Sequence, residues 1–129
     1  MSYNFLFVLN ALVALVFGIA FLFVPDTVLL YFGVTDAVES TEWVSRFFGS
    51  AMFALGLVLW FAKDTDANIQ KNVGYSLLAS SIIGLVVTIM ASVADNAVIR
   101  SNSWIPIVVY VLFALGYAFM LFLKPKMKE

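Results

Sequence analysis

Residues 5–24 read FLFVLNALVALVFGIAFLFV, twenty positions with no charge and a single amide, Asn10. At about 1.5 Å of rise per residue such a run crosses the roughly 30 Å hydrocarbon layer of a bilayer as a helix, which pairs its own backbone polar groups where water cannot. Three more runs of this kind follow, at 43–62, 73–94 and 104–123. They predict an all-α membrane protein, a single transmembrane domain over residues 1–129 folded as a four-transmembrane-helix bundle. The whole chain agrees: 64% of its 129 residues are hydrophobic, 12% are charged and the mean hydropathy is +1.04, where a soluble domain is about half apolar and a quarter charged.

A cleaved leader is the competing reading of the first run. No basic segment precedes it, it exceeds the roughly 7–15 residue apolar core of a leader, and Phe23-Val24-Pro25-Asp26 offers no small-x-small cleavage site, so retention is expected. Next comes Pro25-Asp26-Thr27-Val28-Leu29-Leu30-Tyr31-Phe32-Gly33, with a proline start, an apolar body too short to cross and a glycine stop, which predicts a short interfacial helix after the first span. Asp36, Glu39, Ser40 and Glu42 suit the N-terminal cap and positive end of the second span, and Asp64-Thr65-Asp66 suits the start of the third helix ahead of the membrane. The fourth span is framed by Trp104-Ile105-Pro106 and Lys124-Pro125-Lys126, an aromatic belt at one end and snorkelling lysines with a helix-stopping proline at the other. Phe53-Ala54-Leu55-Gly56 recurs as Phe113-Ala114-Leu115-Gly116 and hints at a duplicated hairpin.

The inventory removes whole classes of chemistry. A net charge of −1 and a pI of about 5.2 leave no basic footprint for nucleic acid. With neither Cys nor His, thiolate chemistry, histidine-ligated haem and Ser-His or Cys-His pairs are excluded. In size and span number the chain resembles the proton-coupled small multidrug resistance exporters, but that mechanism needs an acid within the membrane, and no span has one. No catalytic residue, metal ligand or cofactor is expected, and the protein is expected not to be an enzyme.

Helices in lipid gain little by hiding apolar side chains from one another and instead approach closely through small residues. Inner seams are therefore predicted at Asn10, Ala14 and Gly18 in the first span, Ser45, Gly49, Met52 and Gly56 in the second, and Ser80, Gly84, Thr88 and Ala91 in the third, with Ser81 and Ser92 on its flank. Arg46 is the one formal charge well inside a span. Glu42 stands one turn back, so an i,i+4 pair, completed by Asp36 or Asp95, is the structural reading; a clamp for an anionic headgroup or carboxylate is the functional one. Asn10 and Tyr117 are expected at one depth, hydrogen-bonded within the bundle, with Tyr110 near the level of Arg46. These four polar groups are either core glue or the lining of a ligand or quinone site.

The order of a glycine-bearing first span, Pro25 with Val28-Leu29-Leu30 and Gly33, then Arg46-x-x-Gly49 opening a span that carries Ala54-Leu55-Gly56, resembles the DoxX-like and DUF4345-like small four-helix bacterial membrane proteins. The resemblance implies the four-helix architecture and Arg46-x-x-Gly49 as a packing or headgroup element, and it supplies no substrate. The expected partners are the lipid bilayer and either other membrane subunits or further copies of the chain. An accessory or assembly subunit is the first functional expectation, and a binding or transport module for a quinone, lipid or carotenoid the second.

Lys63, Lys71, Lys124, Lys126 and Lys128 fall on one side of the predicted membrane and only Arg46 and Arg100 on the other, which predicts a multi-pass inner-membrane protein with both ends of the chain in the cytoplasm. Because the chain has no cysteine, one introduced at Asn102 is expected to label from outside intact cells and one at Lys128 to stay protected; the reverse pattern overturns the orientation.

Overall fold

The computed structural model describes residues 2–35, 37–93 and 99–124. It contains helices α1 (Tyr3–Phe23), α2 (Pro25–Tyr31), α3 (Glu39–Ala62), α4 (Ala67–Val93) and α5 (Trp104–Ala118), the last continued by a π turn over Phe119–Leu123. α1, α3, α4 and α5 with its continuation are long and apolar enough to cross a membrane, so the four-span all-α architecture is observed as expected.

Local chemistry sets the ends of the helices. Ser2 accepts the Phe5 amide at the start of α1, Pro25 occupies the first turn of α2, and the Asp66 carboxylate accepts the Ile69 amide (3.0 Å) ahead of α4. That cap lets α4 begin at Ala67, before its apolar run. At α3 the expectation is only partly met: Glu39 and Glu42 lie in the first turn, where they favour the positive end of the helix, but the cap position is Val38 and no side chain caps it. Asp36 lies outside the described residues, as do Asp95, Pro125 and Lys126.

The closest helix pair is α1 with α3, antiparallel and in backbone contact. A β-carbon on Gly49 would stand 2.7 Å from both the Gly18 carbonyl oxygen and the Leu22 nitrogen, and one on Gly18 would stand 2.8 Å from the Phe53 nitrogen. Further along, Gly56 abuts Leu15 and the Ala11 carbonyl. Ser45, Gly49 and Gly56 are accordingly buried, as the expected seam requires. α4 and α5 form the second pair, with the Tyr110 ring seated on Gly84. Gly116 packs on Leu6 of α1, so the two Phe-Ala-Leu-Gly segments both turn their glycine to α1 and do not play matching roles in two hairpins.

The two pairs share one core, set in the half of the molecule remote from α2. Leu6, Phe7 and Ala11 of α1 meet Leu59 and Ala62 of α3, Leu77 of α4, and Tyr117, Met120 and Leu121 at the end of the fourth span. The π turn, closed by the Lys124 amide on the Phe119 carbonyl, widens the last coil so that Met120 and Leu121 both face inward. Sequence periodicity reads this stretch as uninterrupted α-helix. Gln70, buried beside the core, donates to Asn4 Oδ1 (2.8 Å) and to the Lys63 carbonyl (2.9 Å), tying the start of α1 to the α3–α4 turn.

At the other face a strap joins the pairs. The Tyr31 carbonyl at the end of α2 accepts from Ser101 Oγ (3.0 Å) and Asn102 Nδ2 (2.8 Å), and the Phe32 carbonyl accepts the Arg100 and Ser101 amides. Gly33 makes the crossing with φ +81°, and a β-carbon there would lie 2.9 Å from Arg100 Cβ.

The α3 seam differs from its exposed side in a testable way. Gly49→Ala is expected to lower stability in detergent by about 1–3 kcal/mol, because its methyl meets backbone that moves only as a helix, whereas Ala51→Val on the exposed side stays within about 0.5 kcal/mol. Reversible unfolding in mixed micelles measures both, and equal effects would contradict the seam.

Candidate functional site

Arg46 departs from its membrane neighbours in where its charge goes. Its Nη1–H donates to the Leu22 carbonyl (3.0 Å), and its guanidinium carbon lies 5.4 Å from the centre of the Trp43 ring. Leu22 is one of the last residues of α1, and its carbonyl is available because Val24 leaves the helical conformation (φ −131°, ψ 55°). An arginine on a helix C-terminus satisfies an orphan carbonyl and meets the negative end of the helix dipole. This contact replaces the expected Glu42–Arg46 pair: among the described residues the ion pair present is Lys63 to Asp64 (2.8 Å), far along the helix. The completing acids of that expectation, Asp36 and Asp95, lie outside the described residues.

Five N–H groups project from a guanidinium, and the carbonyl of Leu22 takes one. Arg46 also borders a groove of about 430 Å³ lined by Leu22 and Phe23 of α1 and by Trp43, Arg46, Phe47 and Ser50 of α3. The α3 residues stand at i, i+3, i+4 and i+7, one continuous helix face. The glycine contact positions the two walls, since Gly49 touches the Leu22 nitrogen and thereby holds the end of α1 beside Arg46. Phe23 and Phe47 are 69% and 73% exposed, so the groove opens sideways to the surroundings of the bundle.

The opposite end of α3 provides an internal comparison. Trp60 and Lys63 repeat the Trp-x-x-cation spacing, with Lys63 Nζ 4.5 Å from the Trp60 ring centre. The seventeen-residue step between the tryptophans corresponds to about 26 Å of helix, close to the hydrocarbon thickness and so to the separation of two aromatic belts. Lys63 reaches its belt from the water side and already has Asp64. Arg46 lies between the two tryptophans, and a backbone carbonyl and a ring are its partners.

The other residues singled out in the sequence fall into separate settings. Asn10 Nδ2–H donates to Tyr117 Oη (2.8 Å), the contact expected of them. Tyr117 is fully buried, stacked on Phe113 and tilted against Phe7. Tyr110 sits on Gly84 in the α4–α5 pair, whereas Arg46 belongs to the α1–α3 pair. Gly18 and Thr88 are buried as expected. Ser80 is exposed, with its hydroxyl on the Leu77 carbonyl, and Ser81 takes the buried place: Gly74 against Tyr3 and Leu77 in the core set the phase of α4, and steps of three and four from them reach 81, 84 and 88.

Sequence reasoning missed Phe47, Ser50 and the Leu22 carbonyl. The spacing of Trp43, Arg46, Phe47 and Ser50 was a legible signal for one wall; the other wall depends on where α1 stops. The chain matches no family model, no curated protein and no solved structure.

The Asn10–Tyr117 bond joins helices at opposite ends of the chain, so it is expected to show as coupling. In a double-mutant cycle with Asn10→Val and Tyr117→Phe, unfolding in detergent should give a coupling of about 0.6 kcal/mol, up to about 1.7, as membrane hydrogen bonds do. Additive effects would contradict the bond.

Proposed function

We propose that this multi-pass membrane protein is a binding module, without catalytic activity of its own, that holds an amphiphilic small molecule or lipid at the ends of α1 and α3. The observation that supports the reading is the order of polarity along the groove. A guanidinium stands one turn inside Trp43, and the rest of the groove is apolar apart from the Ser50 hydroxyl, one turn further toward the middle of the span. An amphiphile lying along the membrane normal has the same order, and an arginine at membrane depth marks a functional position more often than an apolar seam does. The proposal carries the orientation expected from the lysines, with the α2 face outside.

Release of the protein from mild detergent into a native mass spectrometer, with an absorption spectrum of the same sample, tests the reading. The wild type is expected to carry one additional amphiphile mass, and Arg46→Gln to lose most of it. Bare mass in both proteins overturns the binding reading, and a second polypeptide in fixed ratio supports the accessory-subunit role in its place.

A further inference from the structure

The amphiphile reading leaves the chemical class of the ligand open, and a second side chain in the groove narrows it. Hydroxyls at membrane depth here turn back onto their own helix: Ser45 to the Thr41 carbonyl, Ser76 to Asn72, Ser80 to Leu77, Thr88 to Gly84 and Ser92 to Thr88. This is the ordinary way to satisfy a hydroxyl away from water. Ser50, like the buried Ser81, makes no such bond, and Ser50 is exposed on the groove wall one turn below Arg46. Four residues of helix separate the two α-carbons by about 6 Å.

From these positions we infer that the groove is a site for one anionic phospholipid of the leaflet on the α2 face, its phosphate on Arg46 and an ester carbonyl on Ser50. The inference rests on the proposal that the groove holds an amphiphile. Charge complementarity selects the occupant. Among the described residues the guanidinium has no carboxylate partner, and its planar fork suits a phosphate. An ester carbonyl accepts a hydrogen bond from the Ser50 hydroxyl one turn further into the span than the phosphate, and Phe23 and Phe47 supply the apolar walls beside it. A fatty acid places its carboxylate on Arg46 but has no second acceptor for Ser50. A soluble phosphate or glycerol phosphate uses neither aromatic wall.

Trp43, which lines the groove, serves as the probe. In a Trp60→Phe, Trp104→Phe background it is the sole tryptophan, and lipids brominated on their chains quench it on contact. The protein is reconstituted in vesicles of phosphatidylcholine containing brominated phosphatidylglycerol, or brominated phosphatidylcholine with the same chains. The anionic lipid is expected to quench at about fivefold lower mole fraction. Arg46→Gln should abolish the preference, Arg46→Lys should retain part of it, and Ser50→Ala should weaken quenching by both lipids, with helix content by circular dichroism unchanged throughout. Inorganic phosphate added outside the vesicles should leave quenching as it was. Equal quenching by the two lipids, or displacement by inorganic phosphate, overturns the phospholipid assignment. If a brominated fatty acid still quenches in an Arg46-dependent way, the broader amphiphile reading survives that failure; if no probe depends on Arg46, both fall.

Discussion

The contact of Gly49 with the backbone of α1 is the constraint on which the rest depends. Two helices in lipid have little apolar driving force between them, and backbone approach through a missing side chain supplies the packing instead. Here it does a second thing. By pressing on Gly18 and on the Leu22 nitrogen it fixes the end of α1 next to Arg46, so that the orphan carbonyl of one helix meets the charge of the other. Packing and electrostatics at this corner are one arrangement, in which the glycines set the distance and the arginine uses it.

Polar groups elsewhere are satisfied one by one. Asn10 with Tyr117, and Gln70 with Asn4 and the Lys63 carbonyl, cross between helices, while Ser45, Ser76, Ser80, Thr88 and Ser92 close onto their own helix. The large core side chains gather in one half, where Tyr117, Phe7 and Leu59 are fully buried. In the other half α1 and α3 meet directly, and α2 is bridged by hydrogen bonds to the segment before α5. Order thus comes from volume filling at one face and from polar bridging at the other.

The four spans, the helix after the first of them and the Asn10–Tyr117 bond were legible because each follows from a local rule: uninterrupted apolar length, a proline start with a glycine stop, and the need of a buried amide for a partner at its own depth. What was not legible depends on phase or on the partner helix. Of the α4 seam read at Ser80, Gly84, Thr88 and Ala91, with Ser81 on its flank, only the first place differs: Ser80 and Ser81 are chemically alike, and the packing of Gly74 and Leu77 puts Ser81 inside. Glu42 was the natural partner for Arg46 by spacing, yet the break at Val24 exposes a competing carbonyl that no pattern within α3 reveals. The π turn is likewise invisible to hydropathy, which is high before it and through it.

The bond between Asn10 and Tyr117 also sets an order of events. Its partners are 107 residues apart, one in the first of the four spans and one in the fourth. A chain made from its N-terminal end can assemble the α1–α3 pair while the fourth span is still to be synthesised. Until that span arrives, the Asn10 amide lies within the bilayer without the partner it finally takes. The bond is therefore a closing step of assembly, and an unpaired amide at this depth distinguishes an incomplete bundle from a finished one by chemistry alone.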